Sequence, residues 1–191
     1  MRLILASASP RRSLLLRAAG FTFDTIAPDI DESANIGEPP GEYVLRLSET
    51  KAGFIETGPH DVVLGADTTV VRDGATLGKP TDSNEAISML LSLVGRTHSV
   101  LTGWSLVSER LRRFGIEESF VTFNDRTEDE LRKYVARTDP YDKAGAYAIQ
   151  GDDGWLISGV SGSRSNVMGL PIREIVEALA DFGIRRSTAD R

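Results

Sequence analysis

Ser7-Ala8-Ser9-Pro10-Arg11-Arg12 places hydroxyls and two guanidinium groups where an apolar run gives way to a helix start. Helix N-termini present unpaired N–H groups and the positive end of the helix dipole, so this segment can cradle phosphate. The alternative is an N-cap at Ser9 followed by solvated arginines. Arginine is mildly unfavourable at that end of a helix, which tilts the reading toward a nearby anion. Lys51 sits on the apolar stripe of a helix, where it either brings an ammonium to a site or buries its stem and extends its head into water. Asp67 ends the run DVVLGAD, and carboxylates at the carboxyl ends of central strands face the crevice in which α/β folds bind ligands. A solvated or turn-capping aspartate is the other reading. Glu32, in an acidic loop with Asp29 and Asp31, offers the hard oxygen that Mg²⁺ or Mn²⁺ requires, or else belongs to a solvated loop.

Gly74-Ala75-Thr76-Leu77-Gly78-Lys79-Pro80 looks like a P-loop but is not one, because the glycine spacing is one residue short and proline stands where the Ser or Thr should be. Lys79 can still reach a phosphate. Tyr141 to Gly151 is dense in small residues that let backbone approach a ligand closely, or that serve only its turns. His60 and His98 lack a matching nucleophile or ligand pattern and read as structural or surface groups. Basic groups from three chain regions and carboxylates from two fit metal-assisted phosphoryl chemistry better than acyl transfer.

The elements that must position these residues follow from periodicity and punctuation. Arg2 to Ser7 predicts a buried strand, Ser9-Pro10 the start of a helix stopped at Gly20, and Phe21 to Ile26 a second strand. A helix after Pro39-Pro40 aligns Tyr43, Leu47, Lys51 and Phe54. Asp61 to Asp67 reads as a buried strand and Asp73-Gly74 as a hairpin turn. Asp82 with Glu85, and Thr127 with Glu130, have capping-box spacing ahead of helices that reach Gly95 and Val135. His98 to Val107 and Ser119 to Phe123 predict further strands. Pro171 opens a last helix with Ile172, Ile175, Val176, Leu179 and Phe182 inward and Gly183 as its stop. The mixture predicts a layered α/β fold in a single domain over 1–191, with a frayed tail at 185–191.

The formal net charge of -6 disfavours broad attraction to nucleic acid or to an anionic membrane, so any anionic ligand must be held by a local basic cluster. There are no cysteines, which excludes disulfides, thiolate metal sites and cysteine nucleophiles. The N-terminal apolar run is short for a signal peptide and no stretch is long enough to cross a bilayer, so the expected location is cytoplasmic.

Taken in order, the motifs closely resemble the Maf family of nucleoside triphosphate pyrophosphatases. The matching segments are LILASASPRRSLLL from Leu3, DESAN from Asp31, EYVLRLSETKA from Glu42, VVLGADTTVV from Val62 and LGKP from Leu77. GRTHSVLTG from Gly95, DPYDKAGAYAIQG from Asp139 and SRSNVMGLP from Ser163 complete the set, which spans nearly the whole chain. The resemblance implies an elongated mixed sheet flanked by helices, with two lobes around a central cleft, similar to house-cleaning inosine triphosphatases. It implies water attack at the α-phosphorus with pyrophosphate leaving, assisted by Mg²⁺ or Mn²⁺. By family role Asp67 would be the proton acceptor, and Ser7, Arg12, Glu32, Lys51 and Lys79 would complete the polar site. As hard oxygen donors Glu32 and Asp67 are the candidate metal ligands, and Asp67 can bind the metal, accept the water's proton, or do both. Arg11, Thr68 and Gln150 look like the substrate-selecting positions of the dTTP/UTP subgroup. The expected partner is a small-molecule nucleoside triphosphate, with no nucleic acid and no membrane, and a homodimer is left open. The family is also associated with inhibition of septum formation, so a nucleotide-responsive regulator of cell division is the competing class. If Lys51 serves the site alone, Lys51→Met should leave thermal stability normal or raised, since methionine keeps an apolar stem.

Overall fold

The computed structural model describes residues 1–56 and 58–187. The apolar run Arg2–Ala6 forms strand β1, and Ser9 then caps helix α1 (Pro10–Ala18) by accepting from the Arg12 amide. Strand β2 is only Asp24–Ile26, and Phe21, expected within it, instead fills the core from a loop. Helix α2 runs from Pro40 to Gly53, so Phe54 lies past its end and is half exposed. Strand β3 (Asp61–Arg72) continues well beyond Asp67 and turns at Asp73-Gly74, both with positive φ, into β4 (Ala75–Leu77). Two consecutive positive-φ residues are what a tight hairpin requires.

Helix α3 (Ser83–Leu93) is capped by the Asp82 carboxylate, but Glu85 reaches back to the Thr81 amide and hydroxyl, not to Asp82, so the expected reciprocal box is not made. The box at Thr127 and Glu130 is complete and opens α4 (Glu128–Thr138). Strands β5 (Thr97–Val107) and β6 (Arg112–Phe123) form a long hairpin. β6 begins seven positions before the expected Ser119, because its outward positions Phe114, Ile116 and Phe120 are apolar and inward Gly115 is a bare site under the Trp104 ring. That inverts the alternation by which strands are read. The short elements β7 (Ile157–Ser161) and α5 (Arg164–Val167) have too few residues to show a period, and α6 (Ile172–Asp181) follows as expected. Of the tail expected to fray, Ser187 bonds Gly20 and Thr22, and 188–191 lie outside the described residues.

The strands form one mixed sheet in the order β2-β1-β3-β5-β6-β7, with β4 on the same edge of β3 as β1. β1 covers that edge as far as Gly65 and β4 resumes at Val70. Among the described residues, 66–69 therefore have no strand neighbour on that side. Two cores flank the gap. Leu3, Leu5, Leu16, Leu64, Leu106, Ile175 and Leu179 build one with α1 and α6, and Val70, Leu90, Val100, Leu131 and Ile149 build the other with α3 and α4. β3 and β5 pass from one core into the other, which gives the two lobes expected, and the cleft lies where they cross. α2 packs across β3 and β5 through Gly65 and Gly103, where a Cβ would meet the Ser48 and Val44 carbonyls at 2.1 and 2.3 Å.

Candidate functional site

The interrupted edge of β3 opens into a cleft of about 460 Å³ lined by residues from both lobes. Ser7, Arg11, Arg12, Glu32, Lys51, Asp67, Thr68, Lys79 and Gln150 all line it. Every site residue expected from sequence is thus brought to one place, and the geometry divides them into three groups.

The first group lies on the cleft floor. Lys51, on the buried face of α2, places Nζ 2.6 Å from Asp67 Oδ1 and 2.7 Å from Glu32 Oε1. Its side chain is 7% exposed, so the ammonium is not extended into water. Lys79 Nζ stands 3.7 Å from Glu32 Oε2 at the solvent side. Partial burial pushes the Glu32 carboxyl up, but the hydrogen bond and charge of Lys51, with Lys79 and Arg12, outweigh it and hold Glu32 below its ordinary value. The Glu32 loop is not merely solvated: Tyr43 donates its hydroxyl to the Glu32 carbonyl at 3.0 Å. Burial, with Asp67 and Glu32 nearby, raises the Tyr43 phenol to about 12.

The second group centres on Arg12. Its Nε donates to the Gly169 carbonyl at 2.8 Å, Nη2 to Thr68 Oγ1 at 3.1 Å and Nη1 to Ser7 Oγ at 3.4 Å. Burial lowers the Arg12 guanidinium from its usual value, with Asp67 and Glu32 opposing. Thr102 donates to the Asn166 carbonyl, so Thr68, accepting from Arg12, must donate to Thr102 at 2.9 Å. Gly169 has φ +108, and a Cβ there would lie 3.5 and 3.6 Å from Thr68 Oγ1 and Arg12 Nε. Only glycine holds this backbone comfortably beside the guanidinium.

The third group rims the opposite lobe. Arg11, from the first turn of α1, pairs across the cleft with Asp142, whose carboxylate also meets Lys143. The anion beside the arginine pair, anticipated from the helix dipole, is in part this carboxylate. Gln150 follows the loop Ala144–Ile149, is exposed, and makes no side-chain hydrogen bond among the described residues. Thr68 is engaged with Arg12 and Thr102 and does not fix it.

Tyr43, Thr102, Asp142, Lys143 and Gly169 are site residues that sequence reasoning did not single out. For Asp142 and Lys143 the signal was present, as charged residues opening the small-residue loop. Thr102 and Gly169 act through contacts 34 and 157 residues apart in the chain, which no local pattern reveals. His98 is buried away from the cleft lining, with Nε2 2.8 Å from the Tyr147 hydroxyl.

Among the described residues no three His, Cys, Asp or Glu side chains converge as a closed metal cage. The donor set nevertheless fits Mg²⁺ or Mn²⁺ shared with a substrate. Among the described residues Asp67 Oδ2 makes no hydrogen bond and Glu32 Oε2 makes only the long approach to Lys79. Such ions are commonly held by one or two carboxylates plus phosphate and water.

Fold and site together define an α/β protein with a two-lobed cleft rich in basic side chains. The family described as Maf-like protein matches residues 2–182, and the chain belongs to it. It is 47% identical over 193 aligned positions to the dTTP/UTP pyrophosphatase of Syntrophus aciditrophicus (strain SB), covering 100% of this chain and 94% of the relative. It is 45% identical to the dTTP/UTP pyrophosphatase of Bacillus pumilus (strain SAFR-032), covering 96% and 97%. A HAM1 protein structure from Coxiella burnetii matches 95% of this chain and 99% of its own at 15% identity, with a TM-score of 0.49. No helix among the described residues is long and apolar enough to cross a membrane.

Proposed function

We propose that this protein hydrolyses dTTP and UTP to the monophosphate and pyrophosphate, in keeping with the names of its full-length relatives. The observation that carries the reading is the buried Lys51 ammonium held between Asp67 and Glu32 on the floor of a cleft rimmed by Arg11, Arg12 and Lys79. A triphosphate brings about three to four negative charges, and on a chain that is acidic overall only such a local cluster can gather them.

Lys51 holds Asp67 through Oδ1, and Asp67, which lines the cleft, is the group that accepts a proton from the attacking water. Lys51, Arg12 and Lys79 oppose the charge that develops on the phosphoryl oxygens as water attacks the α-phosphorus and pyrophosphate departs. Glu32 and Asp67 would hold a divalent cation, which when bound neutralises phosphate charge and acidifies water. Arg11 exchanges its contact with Asp142 for phosphate. Gln150 reads the base: one amide acceptor and two donors match the uracil edge, an N3–H between two carbonyls.

The test is kcat/KM for UTP, dTTP, CTP and GTP with added Mg²⁺ or Mn²⁺. UTP and dTTP should exceed CTP by about tenfold or more, because cytosine would leave polar groups unpaired once the nucleotide covers Gln150, at a cost of about 1–3 kcal/mol. Equal turnover of all four contradicts the substrate assignment.

A further inference from the structure

Gln150 can discriminate uracil from cytosine only if the loop that presents it is held in one place, and Thr68 is already engaged with Arg12 and Thr102. What holds the loop lies three to five residues earlier. Gly145 and Ala146 both have positive φ, +69° and +61°. Ala146 in that conformation is strained and persists only where surrounding contacts impose it. The Gly145 amide donates to the Gly78 carbonyl at 3.0 Å, and a Cβ on Gly145 would meet Val70 at 3.0 Å. Tyr147 follows at once, 6% exposed, with its hydroxyl 2.8 Å from His98 Nε2. Ala148 donates its amide to the Tyr134 hydroxyl at 3.5 Å, Ile149 is buried, and Gln150 emerges into the cleft.

His98 has no other evident task. It is 3% exposed, its Nδ1 is buried with no partner among the described residues, and its ring packs edge-on against Phe123 and Tyr147. A buried imidazole that leaves one nitrogen unpaired is costly, and leucine would fill an apolar site at less expense. Its position in the sheet supplies a reason. His98, Val100 and Thr102 alternate along the cleft-facing side of β5: Thr102 bonds Thr68 in the Arg12 group, Val100 lines the cleft, and His98 bonds Tyr147 in the base-side loop. One strand therefore anchors both ends of the site.

We infer that the His98–Tyr147 hydrogen bond positions the Tyr147–Gln150 segment for base selection, which makes His98 and Tyr147 positioning residues for specificity. The inference rests on the proposed reading of Gln150. A bond that served only the fold would, when removed, lower stability and reduce turnover of all nucleotides in parallel. A positioning bond changes the ratio between them.

The experiment measures kcat/KM for UTP and CTP, with thermal melting, in wild type, Tyr147→Phe, His98→Leu and His98→Gln. Tyr147→Phe removes one hydroxyl and keeps the ring packing, so it should remain folded while the UTP:CTP ratio falls about tenfold, the scale on which misplaced polar readout acts. His98→Leu should lower the ratio similarly, and the double variant Tyr147→Phe/His98→Leu no further than either, because each removes the same bond. His98→Gln, whose amide reaches about as far as Nε2, should restore most of the ratio. Unchanged ratios in Tyr147→Phe and His98→Leu overturn the proposal, as does unfolding of Tyr147→Phe, which would make the bond a fold device. If wild type itself does not favour UTP over CTP, the reading of Gln150 falls and this inference with it, a result distinct from a wild-type preference that the variants retain.

Discussion

Lys51 Nζ lies 2.6 Å from Asp67 Oδ1, and both side chains are almost wholly removed from solvent, 7% and 10% exposed. The pair ties α2 to the middle of β3 at the point where the edge of β3 loses its strand partners. It also revises one expectation. Lys51→Met was expected to leave stability normal or raised, but Asp67 would then stand buried beside Glu32 with no cation between them. Breaking a buried pair in this way costs about 3–5 kcal/mol. We therefore predict a lowered Tm together with strongly reduced activity. Added Mg²⁺ or Mn²⁺ should raise the Tm of the variant more than that of wild type, and equal shifts would contradict this.

Asp67→Asn keeps size and can still accept from Lys51, but it loses basicity and charge. Turnover of UTP should fall by about 10²–10⁴-fold, the usual scale for general-base removal, with an unchanged circular dichroism spectrum. Activity within a few-fold of wild type would remove Asp67 from the chemistry. Glu32→Gln should lower activity and raise the metal concentration needed for half-maximal rate. An unchanged metal titration would count against Glu32 as a ligand.

Burial lowers the His98 imidazole from 6.5 to about 4. The sign of the resulting pH dependence follows from proton uptake: between pH 6.5 and 4 the unfolded chain binds a proton that the folded chain refuses. Stability attributable to His98 is present above 6.5 and lost on acidification through that window, at up to about 1.4 kcal/mol per pH unit. Tm measured across pH 4–7 should fall less steeply in His98→Leu than in wild type. Parallel curves would show that His98 is not held neutral.

Gly65 and Gly103 let α2 lie directly on β3 and β5. Gly65→Ala drives a Cβ to 2.1 Å from the Ser48 carbonyl on the same helix that carries Lys51. We predict a loss of about 1–3 kcal/mol or more from overpacking, read by urea unfolding, with reduced activity as Lys51 is displaced from Asp67. Wild-type stability would mean that the helix can shift without cost.

The residues proposed to touch the substrate were legible in the sequence because their types are costly where they stand. A lysine on an apolar stripe and an aspartate in a buried apolar run each required a reason, and both line the cleft. Fold-level patterns served where the period was clean, as in α6 and the Thr127–Glu130 box. They failed on β6, where Phe114, Ile116 and Phe120 face outward, and on β7 and α5, which are too short to show a period. The supporting contacts were hidden for a different reason. The bonds of Arg12 to Gly169 and of His98 to Tyr147 join positions 157 and 49 residues apart, and only the folded sheet makes them neighbours.

The most direct test is hydrolysis of UTP by the wild-type protein in ¹⁸O-labelled water with added Mg²⁺ or Mn²⁺, the products being separated and weighed by mass spectrometry. Attack on the α-phosphorus by water whose proton goes to Asp67 predicts UMP carrying one ¹⁸O and unlabelled pyrophosphate. Label in the pyrophosphate, or release of UDP with inorganic phosphate, would contradict the assigned reaction.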